Sequence, residues 1–215
     1  VAEMLDNVLS FFIENAPDEV GRAKYSAKQE RSIGVGALGF HAYLQKNNLA
    51  WESNEAKGAN LRMFRHIRSK LDEANLSLGK DRGEAPDAKG TGNRFSHLMA
   101  IAPNASSSII MGNTSPSIEP WRANAYRQDT LSGAYLNKNK FLDALIIEYC
   151  EKHPRTNYDA VWSSIISNDG SVQHITQLTD EQKAIFKTSM EIDQRWLIEH
   201  AADRQMYVDQ AQSLN

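Results

Sequence analysis

Apolar residues recur at helical spacing along most of this chain, and strand-like runs are few. Val1, Leu5, Val8, Leu9 and Phe12 share one face of an opening helix that ends near Pro17. Asp18 to Arg31 is polar and charged, which predicts a surface connection. Ile33 to Phe40 is small and apolar and leads into a helix carrying Leu38, Ala42, Tyr43 and Leu44. From Asn54 to Leu78 the pattern is longest. There Leu61, Phe64, Ile67, Leu71, Ala74 and Leu78 share a face, while Arg62, Arg65, Arg68 and Lys70 lie largely elsewhere, as on a solvated helix face. Gly79 to Asn93 is rich in glycine and charge and predicts a flexible loop.

The second half follows the same logic. Trp121 to Lys140 is polar and predicts irregular structure, whereas Phe141 to His153 predicts a helix with Leu142, Leu145, Ile146 and Tyr149 inward, stopped by Pro154. A short helix follows over Tyr158–Ile166, then a turn at Asn168-Asp169-Gly170. Thr179 to Gln182 matches a capping box with Leu178 as its staple, so one long helix or two broken ones run from Asp180 to about Met206.

Between these halves, His97 to Pro120 stands out. Leu98 to Ala102 is too short for a free-standing helix and too apolar for an exposed loop, so it predicts a buried strand, ended by Pro103. Asn104, Ala105, Ser106, Ser107 and Ser108 follow at once. A strand end opening into small polar residues offers free N–H groups and hydroxyls, which suits a phosphate. The same residues would equally make an ordinary Ser-rich cap on a helix. Glu119, set between Ile118 and Pro120, is placed for a partly buried ion pair with Arg122 or a plain loop salt bridge.

Composition narrows the classes. A chain of 215 residues with 41% hydrophobic content supports a sizeable core. Lys plus Arg number 24 against 27 acidic residues, so the net charge of −3 gives no electrostatic case for nucleic acid. Cys150 is the sole cysteine, which excludes an internal disulfide and any CxxC metal site and favours a reducing, cytoplasmic setting. No apolar run approaches the roughly 20 residues that span a bilayer. The chain starts on Val1 already in helical register and stops soon after Val208, as expected of an excerpt from a longer polypeptide.

Other candidate chemistry is weak. Gly34-Val35-Gly36-Ala37-Leu38-Gly39 satisfies G-x-G-x-x-G but lacks a clear strand before it and an acidic residue closing a second strand after it. Close packing of small residues is the better account. The 6 histidines (His41, His66, His97, His153, His174, His200) show no metal-ligand spacing, and Cys150 on an apolar helix fits an inert thiol. No G-x-S-x-G elbow marks the serines as acyl nucleophiles.

Several segments carry a resemblance by their order along the chain. They are R-S-I-G-V-G-A-L-G (Arg31–Gly39), A-P-N-A-S-S-S (Ala102–Ser108), S-I-E-P (Ser117–Pro120), L-S-G (Leu131–Gly133), D-G-S-V-Q (Asp169–Gln173) and D-Q-A-Q-S-L-N (Asp209–Asn215). Together they resemble the C-terminal half of the barrel domain in the large, catalytic chain of class I ribonucleotide reductase, across essentially the whole sequence. The resemblance implies an α/β fold, here helix-dominated: a partial ten-stranded α/β barrel, residues 1–215 forming a single partial domain with strands near Ile33, at Leu98–Ala102 and at Gln210–Asn215. It implies that Asn104, Ala105, Ser106 and Ser107, flanked by Ser108 and supported by Pro103 and Glu119, hold the substrate diphosphate. Asn104 replaces the family's usual Thr or Ser, and its amide is still a donor.

The resemblance also implies absences. The family's reactive cysteines and the Asn and Glu near the ribose precede the matching region, and the paired radical-relay tyrosines follow it, so no catalytic residue and no metal is expected here. The fragment would bind no cofactor. A metal-containing small subunit would supply the radical, and the nucleoside diphosphate and the rest of the large chain would be its other partners, in the cytoplasmic synthesis of deoxyribonucleotides for DNA replication. Strands without neighbours have open edges, so self-association through an apolar surface is expected. A fragment of a cobalamin-dependent reductase, or a non-catalytic helical interaction module on the same fold, are the alternatives.

Overall fold

The computed structural model describes residues 1–130 and 133–214; Leu131, Ser132 and Asn215, which belong to two of the segments quoted above, lie outside the described residues. Contacts divide the chain into two compact units, one of residues 1–37, 58–103 and 200–215, the other of residues 38–57 and 104–199.

The first unit opens on α1 (Ala2–Asn15), of which only Ala2 and Asp6 are buried. Asp6 is 1% exposed. An isolated carboxylate would not tolerate that site, and three guanidiniums answer it: Arg31 Nη2 at 2.6 Å, Arg82 Nη1 at 2.9 Å and Arg94 Nε at 2.9 Å. Burial alone would raise the Asp6 pKa, but the hydrogen bonds from Arg94, Arg82 and Arg31 outweigh it and hold the group below its ordinary value.

The segment expected to be a surface connection, Asp18 to Arg31, is instead mostly helix: α2 spans Gly21–Glu30. Ala23, Lys24, Ala27, Lys28 and Gln29 are good helix formers, and Ser26 Oγ donates to Glu30 Oε1 at 2.8 Å. No residue of α2 is buried, so apolar periodicity had nothing to report. Arg31 ends it in the left-handed region (φ 44°), which turns its side chain toward Asp6.

The long helix, α4, runs Asn54–Arg82 and buries Phe64, Leu71 and Leu78 of the expected face. It extends beyond Leu78 through Gly79, where a loop was expected to begin. The reason is a close approach: a Cβ on Gly79 would stand 2.0 Å from the Gly92 carbonyl oxygen. The returning segment is tied down by Glu84, whose carboxylate accepts from the N–H groups of Gly90 (2.7 Å) and Gly92 (2.5 Å), and by buried Asn75, which exchanges hydrogen bonds with the Phe95 backbone.

The expected barrel strands of this unit are reduced to single parallel bridges. Val35 pairs with Met99, and Ile101 with Gln212. Around them, Ile33 and Val35 donate to the carbonyls of His97 and Leu98, and Gln210 and Ser213 donate to those of Met99 and Ile101. Two features keep the pairing local. The glycine run packs backbone to backbone, since a Cβ on Gly36 would lie 2.9 Å from the Ala100 carbonyl oxygen. The Asp209 carboxylate also occupies the N–H groups of Leu98 (3.1 Å) and Met99 (2.8 Å) that a strand partner would otherwise use. A regular barrel sheet is thus not formed by the described residues.

The second unit holds α3 (Phe40–Lys46), α5 (Ala105–Ile110), the strands β1 (Ala125–Thr130) and β2 (Gly133–Lys138), α6 (Lys140–Lys152), α7 (Tyr158–Ser167) and α8 (Asp180–Ile185), while α9 (Gln194–Gln205) runs from it into the first. Its core joins Leu142, Ile146, Trp162, Ile165, Val172 and Phe186. Tyr43 is exposed on α3, and Leu38, expected within that helix, precedes it.

Trp121 to Lys140, expected to be irregular, contains an antiparallel hairpin with Ala125 opposite Lys138 and Thr130 opposite Gly133. Its second strand is exposed from Gly133 to Leu136, so no apolar alternation betrayed it. The hairpin root is held by buried amides. Asn139 Nδ2 donates to Gln45 Oε1 (2.9 Å) and Asn124 Oδ1 (3.0 Å), and Asn124 Nδ2 donates to the carbonyls of Gly170 (3.0 Å) and Phe186 (2.7 Å). Gly170, at φ 79°, is required there because a Cβ would lie 2.6 Å from that of Ala123. The Thr179 capping box is present in full, and the final helical stretch is broken in two.

Candidate functional site

The serine-rich segment becomes the short helix α5 and the turn before it. Asn104 caps α5 without a side-chain hydrogen bond. Ser108 N–H is the first in the helix to find a partner, the Asn104 carbonyl at 2.9 Å, which leaves the N–H groups of Ala105, Ser106 and Ser107 unspent, as at any helix start. Ala105, Ser106 and Ser107 are exposed, and among the described residues the hydroxyls of Ser106 and Ser107 make no hydrogen bond. Ser108 differs: it is buried and its hydroxyl donates to the Ala105 carbonyl at 2.6 Å. The structure therefore brings together an amide, three backbone donors and two hydroxyls, and turns the third hydroxyl inward as a strut. Such a set can hold an anion and offers it no general acid or base.

Pro103 is exposed immediately before this turn, in the other unit. Glu119 is half-buried in a turn where its N–H donates to the Pro116 carbonyl at 2.9 Å.

The far end of α5 is closed by features that sequence reading missed. Met111 and Asn113 donate to the carbonyls of Ser107 (2.9 Å) and Ile109 (3.1 Å), and Thr114 donates to Ser108 at 3.0 Å. Gly112 (φ 80°) and Asn113 (φ 53°) are consecutive left-handed residues. The Gly-Asn pair was the available signal, since these two types favour that conformation. From β1, Tyr126 Oη donates to Asn113 Oδ1 at 2.5 Å. The chain then caps α3: Gly39 and Phe40 donate to the carbonyls of Ser115 and Ser117, and Ala42 donates to Ser115 Oγ at 3.0 Å. The helix after the glycine run is thus capped by the protein's own groups.

His41 is fully buried. Its Nδ1 accepts from the Trp121 N–H at 2.9 Å, its ring meets Trp51 edge-on, and burial pushes its pKa down to about 3 despite a hydrogen bond to the Ile185 carbonyl. It is a neutral core histidine. Cys150 is half-buried on α6 and packs against the second unit's core. Among the described residues, no group of three His, Cys, Asp or Glu side chains is placed to hold a metal ion, and no helix is long and apolar enough to cross a membrane.

In the first unit, the D-Q-A-Q motif acts structurally. Besides Asp209, Gln210 Nε2 donates to the Ile33 carbonyl at 2.8 Å, and Gln212 accepts from Arg204 Nε at 2.7 Å while donating to the Ala201 carbonyl at 2.9 Å. Arg204 is fully buried against the Phe64 ring, and burial lowers its pKa to about 10.

Comparison with known proteins accords with this geometry. The family model described as "Ribonucleotide reductase, barrel domain" matches residues 1–91 and 86–215. The ribonucleoside-diphosphate reductase large subunits of Invertebrate iridescent virus 6 and Invertebrate iridescent virus 3 are each 55% identical, covering 100% and 99% of this chain but 22% and 34% of their own lengths. A solved structure, the Actinobacillus ureae class Id ribonucleotide reductase alpha subunit, superposes with a TM-score of 0.87 at 44% identity, covering 98% of this chain and 38% of that one. The chain spans well under half the length of these relatives. It belongs to the ribonucleotide reductase barrel-domain family.

Proposed function

We propose that this chain supplies the diphosphate-holding part of a ribonucleoside-diphosphate reductase large chain, in an enzyme that reduces ribonucleotides to deoxyribonucleotides by radical chemistry. One observation carries the reading: at the start of α5, the N–H groups of Ala105, Ser106 and Ser107 and the hydroxyls of Ser106 and Ser107 are exposed and unspent, in a chain of this family. Asn104 adds an amide donor at the cap. Hydrogen bonds from such groups to a charged phosphate are roughly twice as strong as neutral ones. In this reading Ser108 holds the turn's shape, and only its neighbours touch the ligand.

The reactive half comes from elsewhere in this proposal. Cys150 packs on the core of its own unit, so the reducing thiols belong to the remainder of the large chain. The chain itself binds no cofactor, and a metal-containing small subunit is the radical source. Likeness to a class Id ribonucleotide reductase alpha subunit favours this over a cobalamin-dependent enzyme.

Titration of the chain with a nucleoside diphosphate, and separately with pyrophosphate, tests the proposal. Saturable binding is expected, weakened at least tenfold when Ser106→Ala and Ser107→Ala are combined, since each removes a charge-assisted bond worth about 1.5–3 kcal/mol. Unchanged binding in that double variant would remove the phosphate assignment and favour the interaction-module alternative.

A further inference from the structure

We propose that Tyr126 is a positioning residue for the diphosphate loop and acts through Asn113; the inference rests on the phosphate-binding reading of Asn104–Ser108. α5 is only Ala105–Ile110, too short to hold its own geometry, so what fixes its far end also fixes the donors at its start. That far end depends on Asn113. Its N–H closes onto the Ile109 carbonyl, its backbone stays left-handed at φ 53°, and the next residue, Thr114, ties back to Ser108, whose own hydroxyl returns to Ala105. The bonds therefore run from Thr114, next to Asn113, through Ser108 to Ala105, the first residue of α5.

Asn113 is in turn held from outside. Tyr126 Oη donates to its Oδ1 at 2.5 Å from β1, a strand paired along its length with β2 and rooted in the buried Asn124–Asn139 pair. The phenol is partly buried, and Asn113 is its hydrogen-bond partner. The side chains line one small cavity of about 90 Å³, together with Gly112 and Trp121. A paired strand thus grips Asn113, the second of the two left-handed residues that turn the chain back after α5. Neither Tyr126 nor Asn113 is proposed to touch the ligand.

The test is a binding titration of a nucleoside diphosphate into the full 215-residue chain. Tyr126→Phe keeps the ring and removes only the hydroxyl, and is expected to weaken binding about three- to tenfold, the worth of one hydrogen bond. Asn113→Ala gives a similar loss, and the double variant gives no more than the larger single one, because both remove one interaction. Asn113→Asp retains an acceptor and tolerates the left-handed backbone, so it binds within about twofold of the wild type. Backbone hydrogen exchange at Ser108, Met111, Asn113 and Thr114, whose N–H groups are bonded within this turn, speeds up in Tyr126→Phe while the hairpin's does not. Wild-type affinity in Tyr126→Phe, or losses that simply add in the double variant, overturn the inference even where Ser106→Ala with Ser107→Ala abolishes binding. If that serine pair leaves binding unchanged, the phosphate reading itself fails, and this inference with it.

Discussion

The carboxylate of Asp209 accepts the backbone N–H of Met99 at 2.8 Å, where a sheet would have placed a carbonyl of a neighbouring strand. It also accepts the N–H of Leu98 and the Arg68 guanidinium. Asp209→Ala leaves buried donors without a partner, at about 1–3 kcal/mol each. The urea midpoint is expected to drop accordingly, with Asp209→Asn falling less because one acceptor oxygen remains. A midpoint equal to wild type in Asp209→Ala would show that water replaces the carboxylate.

Asp6 is the anion on which Arg31, Arg82 and Arg94 converge. Removing it strands the buried Arg31 and the half-buried Arg94, and Asp6→Ala is expected to destabilise the chain by about 3 kcal/mol. The folded pKa is depressed, so the contribution is complete above the ordinary carboxylate value near 3.8 and is lost as pH falls below it. Acid unfolding followed by circular dichroism should therefore be steeper below pH 4 in the wild type than in Asp6→Asn. Parallel acid limbs would count against the cluster as the source.

His41 has the same sign of shift in a cation-forming group. Its pKa falls from 6.5 unfolded to about 3 folded, so the unfolded chain binds a proton first as pH drops. Stability is complete above pH 6.5 and declines below it by up to about 1.4 kcal/mol per pH unit. In His41→Gln this slope between pH 6.5 and 5 should disappear, whatever the absolute stability of the variant. Urea midpoints measured at half-unit pH steps would decide it.

Two glycines of α4 make opposite predictions. A Cβ on Gly58 meets only the flexible end of Arg62 at 3.1 Å, whereas one on Gly79 meets the Gly92 carbonyl at 2.0 Å. Gly58→Ala is expected to stabilise by about 0.5–1 kcal/mol through helix propensity. Gly79→Ala should destabilise by roughly 1–3 kcal/mol, because the backbone must move apart. Thermal melts of both variants that shifted in the same direction would refute the close-approach account.

The sequence by itself determined the elements whose cause is local. The apolar face of α4, the inward side of α6, the Thr179 capping box and the Asp169-Gly170 turn are each set by residues within a few positions of one another, and the structure has them where the pattern puts them. The order of short motifs also carried the family. What had no local cause was not legible. The polar helix α2 and the exposed hairpin bury too little apolar surface to leave a period, and their geometry comes from partners elsewhere. Close packing of the G-x-G-x-x-G run was legible, but its partner, the Ala100 backbone against Gly36, was not. At the candidate site, the sequence named the serines, but only the tertiary structure distinguished Ser108, turned inward as a strut, from Ser106 and Ser107, left open. It also alone joined Tyr126 to Asn113, because a hydrogen bond between a strand and a helix end depends on where the chain returns, and no spacing along it records that.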